Sequence, residues 1–255
     1  MERYYAENTV SVIIPVYNVE EYIDRTLKSI FTQTYKDLEI VMVDDCSTDR
    51  SAEIIAKYQE EHPEIVYHLQ EKNKGAGYAR NKALELAKGR YVAFLDSDDE
   101  WMPDKIEQQL ELMKEKKTPF CYTAIEMIDG NGKLIKRKRK IKETCDYNYL
   151  LHNTIIATSS VVVDRAVLGD FRMHLRRGGQ DYATWLKLLR YGTVARGINV
   201  VLVRYRVVSN SLSSNKFDSI RQVWEIQTQD ENINKISAVF NLCCFIFNAL
   251  KKYLL

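Results

Sequence analysis

The chain has 255 residues, with 37 Lys and Arg against 35 Asp and Glu, a net charge of +2, and 45% hydrophobic residues. That length and apolar content support one large domain with appendages and exclude a disordered or collagen-like chain. The near-neutral balance also excludes a strongly nucleic-acid-binding chain.

The N-terminal MERYYAENTV has no apolar core, so no secretory signal is expected. Val10–Val16 reads as a buried strand, followed by a helix over about 21–33 with Ile23, Leu27, Ile30 and Phe31 on one face. Leu38–Val43 is a second strand, and Ser47 with Asp49 supply a helix start before Ile54, Ile55 and Tyr58. Ile65–Leu69 is a third strand, Gly75–Gly77 opens a further helix, and Tyr91–Leu95 is a fourth strand. Continuous apolar strands alternating with helices predict a parallel sheet covered on both faces. Asn131-Gly132 predicts a two-residue hairpin turn, so the repeating pattern breaks there. The basic run 136–140 that follows usually protects a strand edge; its alternative role is attraction to a polyanionic or lipid-phosphate acceptor. Ser160–Val163 and Val200–Tyr205 are further strands, with a helix over 181–190 between them whose buried face carries Tyr182, Trp185, Leu186 and Leu189.

From Ser219 onward the pattern is helical, which divides the chain into a domain over 1–215 and a tail over 216–255. The apolar tail, interrupted by Asn241 and Asn248, is too short to span a bilayer. It suits an interfacial helix with Lys251-Lys252 as a basic handle, a dimer contact, or a helix folded back on the domain. The five cysteines, Cys46, Cys121, Cys145, Cys243 and Cys244, are odd in number and lack CxxC spacing. Reduced thiols in a cytosol are therefore expected, in a soluble or peripheral protein.

Polar punctuation falls at the C-terminal ends of the strands: Tyr17-Asn18, Asp44-Asp45-Cys46-Ser47 and Asp96-Ser97-Asp98-Asp99. Each cluster alone reads as ordinary turn and cap chemistry. Three on one sheet edge, two of them acidic, call for a cation or a positive ligand group among them. No GxGxxG, GxxxxGK[ST] or GxSxG occurs, which disfavours dinucleotide binding, a P-loop and an α/β-hydrolase.

SVIIPVYN (11–18), VDDCSTD (43–49), GYARNKAL (77–84), GRYVAFLDSDD (89–99) and GGQD (178–181) together resemble the inverting family-2 glycosyltransferases with a GT-A fold. The resemblance covers about residues 10–210; the later sequence resembles bacterial enzymes that build capsule, teichuronic-type or lipopolysaccharide polymers. It implies an α/β GT-A fold, a mostly parallel central sheet flanked by helices with a helical C-terminal tail. It also implies a hexosyltransferase-type enzyme that moves a sugar from a nucleoside diphosphate, UDP favoured, to a hydroxyl of a glycan or lipid-linked acceptor. The expected place is the cytoplasm, near the inner face of the membrane.

Residue by residue, the resemblance implies Asp98 as the ligand of Mg²⁺ or Mn²⁺, with Asp96 and Ser97 beside the ribose or the ion's water shell. A hard divalent ion there neutralises charge growing on the leaving diphosphate. Tyr17 and Asp45 match the base-binding positions, with Pro15 contributing through its carbonyl, while Asp44 is structural. Arg80 either contacts the donor phosphates or holds the acidic edge. Asp181 opens a helix, where the dipole favours a carboxylate, and matches the general base. Gln180 stands where the family usually has Glu. The alternatives are a nucleotidyltransferase-like enzyme attacking phosphorus and a non-catalytic nucleotide-binding relative.

Overall fold

A computed structural model describes residues 4–139, 141–176, 178–207 and 216–254. The N-terminal half alternates β1 (Ala6–Val16), α1 (Ile23–Phe31), β2 (Leu38–Asp44), α2 (Ser51–Glu61), β3 (Ile65–Leu69), α3 (Ala76–Leu86) and β4 (Gly89–Phe94). There follow β5 (Glu100–Trp101), α4 (Lys105–Lys116), β6 (Phe120–Ile128), β7 (Leu134–Arg139), β8 (Thr144–Cys145) and α5 (Tyr147–Leu151). A 3₁₀ turn (Thr158–Ser160) leads into β9 (Val162–Asp164), α6 (Arg165–Leu168), α7 (Gln180–Leu189) and β10 (Ala195–Arg206). The chain ends in α8 (Lys216–Glu225), a π-helical turn (Ile226–Asp230) and α9 (Lys235–Leu254).

Among the described residues the strands form one sheet in the order β3-β2-β1-β4-β9-β6-β10-β5, with β7 on β6 and β8 on β10. The β3-β2-β1-β4 block is parallel, as expected. The short β9 runs antiparallel to both β4 and β6 and joins this block to the parallel β6–β10 pair. Alternation sorts side chains to two cores. Ile13, Val41 and Val43 point to one side with α3 and α7, while Val12, Ile14, Ile40 and Met42 pack on the other with α1. Pro15 is tolerated because β1 pairs with β4 only as far as Ile13, so no ladder donor is missing on that side.

Three local expectations change. Asn131-Gly132 is not a two-residue turn: Asp129 Oδ1 accepts from the amides of Asn131 and Lys133, both at 2.9 Å, so the loop spans 129–133. The basic run forms edge strand β7, where Lys138 and Arg139 donate to the carbonyls of Asn199 and Thr154; Lys140 lies outside the described residues. Helix α7 is buried on most of its surface, with Ala183, Thr184 and Leu188 inside as well as the expected four. Val223, Ile226 and Phe245 of the C-terminal helices join the same core cluster as α7. Asn241 and Asn248 face inward: Asn241 bonds Gln227 at 3.0 Å and His152 at 2.8 Å, and Asn248 donates to the His152 carbonyl. The helix thus folds back on the domain while Ile236, Val239, Phe240, Phe247 and Leu250 stay exposed on its outer side.

Fully buried Arg165 holds the junction that aims β4. Its Nη1 donates to the Leu84 carbonyl and its Nη2 to those of Ala87 and Gly89, closing the end of α3 onto the start of the strand. Arg165→Met should strand these carbonyls and cost about 3 kcal/mol of unfolding free energy in urea titration.

Candidate active site

Parallel β1, β2 and β4 bring their C-terminal ends to one edge, the usual ligand edge of such sheets. Tyr17 follows β1 and is 50% exposed, leaving its ring face open for stacking. The next residue, Asn18, is left-handed (φ 50°), as is Cys46 after β2 (φ 64°). Ser47 does not cap α2 as the spacing predicted, whereas Asp49 Oδ1 accepts from the Ser51 amide that opens the helix, at 3.0 Å. Ser47 Oγ accepts from the Asn18 amide at 3.0 Å, and Asp49 Oδ2 from the Glu20 amide at 2.9 Å. Asn18 Oδ1 returns the tie by accepting from the Thr48 amide. These bonds lock the β1 and β2 loops together and fix the backbone that carries Tyr17.

Asp44 is structural, taking the Tyr67 hydroxyl at 2.9 Å and the Ser47 amide at 2.7 Å. Asp45 is only 3% exposed, and its Oδ1 accepts from Gln70 Nε2 and the Lys74 amide. Its Oδ2 takes a single protein bond, from the Gly75 amide at 2.6 Å. The carboxylate therefore fastens the loop before α3, where Gly75 itself needs a positive φ of 91°.

The acidic turn after β4 is built by residues distant in sequence. Ser159 Oγ accepts from the Asp96 amide and donates to Asp99 Oδ2 at 2.6 Å, while Thr26 Oγ1 lies 2.9 Å from the carbonyls of Ser97 and Asp99. Arg206, at the end of β10, donates its backbone amide to Asp99 Oδ1 and its Nε to the Asp98 carbonyl at 2.7 Å. Its Nη2 pairs with Glu100 at 2.5 Å, and its Nη1 reaches the carbonyls of Asp129 and Gly130. Burial, with Asp98 and Asp96 adding, pushes the Asp99 carboxyl well up. Burial and then Asp96 also push Asp98 up, to about 6.

No three-ligand cluster of His, Cys, Asp or Glu exists among the described residues. The donor set still fits a hard divalent ion. Asp98 is an oxygen ligand whose charge is unfavourable as it stands, and such ions are commonly held by one or two carboxylates plus substrate phosphates. Asp98 would hold the ion, with Asp96 beside the ribose or the ion's water shell.

The base candidate comes from the other side. Asp181 sits in the first turn of α7, and its Oδ2 accepts from Thr158 Oγ1 at 3.3 Å. Arg80, in α3, links the two halves: Nη2 lies 2.5 Å from Asp96 Oδ1 and Nη1 3.2 Å from Gln180 Oε1. Burial opposes the Arg80 charge, and the fields of Asp96 and Asp181 more than offset it. The expected Pro15, Tyr17, Asp45, Arg80, Asp96, Ser97, Asp98 and Asp181 all fall along this one edge or on the helices that meet it.

The sequence profile of Glycosyl transferase family 2 matches residues 11–174. The chain belongs to that family. It is a glycosyltransferase, which sets aside the nucleotidyltransferase-like alternative. It is 42% identical over 245 residues to TuaG of Bacillus subtilis (strain 168), a glycosyltransferase named for teichuronic acid biosynthesis, covering 96% of this chain and 97% of that protein. It is 33% identical to WfgD of Escherichia coli, a UDP-Glc:alpha-D-GlcNAc-diphosphoundecaprenol beta-1,3-glucosyltransferase, over 96% and 94% of the two chains. Its fold matches the crystal structure of S. aureus TarS 1-349 in complex with UDP-GlcNAc, with a TM-score of 0.73 at 23% identity, over 93% of this chain and 71% of that one. The mannosyltransferase PcManGT from Pyrobaculum calidifontis, in complex with GDP-Man and Mn²⁺, matches with a TM-score of 0.63 at 21% identity, over 89% and 65%. These two likenesses establish the GT-A fold.

Arg206, Ser159 and Thr158 were not legible as site residues, because each acts through contacts at least 23 positions away. The one signal available was charge: the acidic run 96–100 needs a buried cation, and Arg204-Tyr205-Arg206 ends an apolar strand.

The folded chain holds the Asp98 proton more tightly than the unfolded chain, so its stabilising effect is full at low pH and lost as pH rises from about 4 through about 6. At about pH 7.5, Asp98→Asn should raise stability by about 1–2 kcal/mol and the melting temperature by a few degrees. That gain should shrink below about pH 5, as followed by calorimetry.

Proposed function

We infer that the protein transfers a sugar from a nucleoside diphosphate to an acceptor hydroxyl, with inversion, in cell-surface polysaccharide synthesis. The observation that carries this reading is the pairing of a partly buried, ion-ready Asp98 after β4 with Asp181 at the start of α7, linked through Asp96, Arg80 and Gln180. The names of TuaG and WfgD favour an envelope polymer, and that of WfgD a UDP-sugar donor and a lipid-linked acceptor.

Tyr17 stacks on the base, the Pro15 carbonyl lies beside it, and Asp45 offers the remaining lone pair of Oδ2 to a ring N–H. Asp96 and Ser97 line the ribose side of the acidic turn. A bound Mg²⁺ or Mn²⁺ supplies Lewis-acid neutralisation of the leaving diphosphate. Asp181 takes the acceptor hydroxyl's proton as its oxygen attacks the anomeric carbon opposite the leaving group. A single displacement of this kind inverts the configuration at that carbon.

In a screen of UDP-, GDP- and dTDP-sugars, turnover should vanish in excess EDTA and return with Mn²⁺. Asp181→Asn should lower kcat by about 10²–10⁴-fold with little change in nucleotide affinity. Full activity in EDTA removes the metal; a modest loss in Asp181→Asn removes the base.

The reading extends to a peripheral membrane position. Among the described residues no helix is long and apolar enough to cross a membrane. The outer side of α9 nonetheless presents Ile236, Phe240 and Phe247 at 86%, 64% and 68% exposure. Burying such side chains in an interface contributes about 0.8 kcal/mol per CH₂, enough for reversible binding beside a lipid-linked acceptor. The full chain should co-sediment with phosphatidylglycerol vesicles at low salt, and Phe240→Asp with Phe247→Asp should release it. Failure of the parent protein to sediment rejects the membrane position.

A further inference from the structure

Three residues on one face of α3, Gly77, Arg80 and Asn81, meet the segment that leads into α7. Asn81 brackets Met173, donating from Nδ2 to its carbonyl at 2.9 Å and accepting from its amide at 2.6 Å. A methyl group on Gly77 would fall 2.9 Å from Gln180 Oε1 and 3.3 Å from the His174 carbonyl, so the segment packs tightly against this face of α3. Arg80 then spans from Asp96 at 2.5 Å to Gln180 at 3.2 Å, while its Nε is buried with no hydrogen-bond partner. All of its bonding therefore runs through the two terminal nitrogens, one to the donor turn and one to the helix that carries Asp181.

We propose that Arg80 is a positioning residue that bridges the donor turn and the base-bearing helix, with Gln180 as its second anchor. The inference rests on the reading of Asp96 and Asp181 given above and refines the role of Arg80. The rigid planar fork suits this task, since two nitrogens of one group can hold two elements at a set separation. A neutral amide at 180 suits it too. Glu at this position would compete with Asp96 for the same guanidinium, whereas Gln accepts one hydrogen bond and leaves the Arg80–Asp96 ion pair intact.

A Lys at position 80 keeps a point charge for any phosphate but cannot span both anchors, so Arg80→Lys separates a bridge from a direct ligand. Gln180→Leu, at a partly exposed position, removes the other anchor without touching the charge. Hydrogen exchange on the protein without ligand is the first readout. Both variants should exchange at least about fivefold faster through the first two turns of α7, with α4 unchanged. The second readout is donor turnover with Mn²⁺ and UDP affinity by calorimetry. Each variant should lose about tenfold or more in kcat, keep the UDP Kd within about threefold, and show no further loss when combined. Unchanged exchange in α7, additive losses, or a UDP Kd about tenfold weaker with kcat intact would each overturn the bridge. Should the parent chain turn over no donor, the proposed reaction fails, and the exchange data still decide whether the bridge exists.

Discussion

The site depends on gathering four neighbouring carboxyl groups, those of residues 96, 98, 99 and 100, at the end of one strand, with Asp99 buried among them. Arg206 makes this feasible from below. Its side chain is wholly buried, yet each of its three nitrogens is hydrogen-bonded: to Glu100, to the Asp98 carbonyl and to two carbonyls of the 129–133 loop. It grips Asp98 by the main chain and leaves the carboxylate unpaired. A salt bridge to that carboxylate would have made the turn more comfortable and less able to receive a cation. The stability forgone at Asp98 is thus tied to its task, while Asp99 beside it takes hydrogen bonds from Ser159 and the Arg206 amide and serves the architecture.

Much of the N-terminal half was legible because its signals are local. Apolar runs of strand length, bounded by turn residues, located β1 to β4, and the edge on which Tyr17, Asp45 and Asp98 gather follows from parallel connection alone. What could not be read were side chains whose partners are distant in sequence. Ser47 looks like a helix cap and instead ties two loops together, while Asp49 does both, taking the Ser51 amide at the helix start with one oxygen and the Glu20 amide with the other. Asn131-Gly132 looks like a tight hairpin, but Asp129 captures two amides with its carboxylate and widens the loop. Asn241 and Asn248 look like breaks in an apolar stretch; both are hydrogen-bonded inward.

Those asparagines also bear on how α7 is packed. Asn241 holds Gln227, which donates to the Leu151 carbonyl and lies 3.2 Å from the Tyr182 hydroxyl, so a polar chain runs from α9 through the π-helical turn to α7. On the same side Arg190 pairs with buried Glu231 at 2.7 Å. The π-helical turn places Ile226 against Gly179, the left-handed residue just before α7. Asp181 is therefore steadied from behind by the C-terminal helices and from the front by α3.

The attachment of the β6–β7 hairpin has a different kind of consequence. Arg206 holds it solely through the carbonyls of Asp129 and Gly130, and every amino acid supplies a carbonyl. The rim beside the acidic turn is thus joined by a fastening indifferent to side-chain identity. Asp129 and Gly132 set the shape of the hairpin tip, while the exposed side chains of Asn131 and Lys133 can diverge in size, charge and polarity without disturbing the turn beneath them. A single scaffold can in this way carry different rims beside one and the same acidic turn.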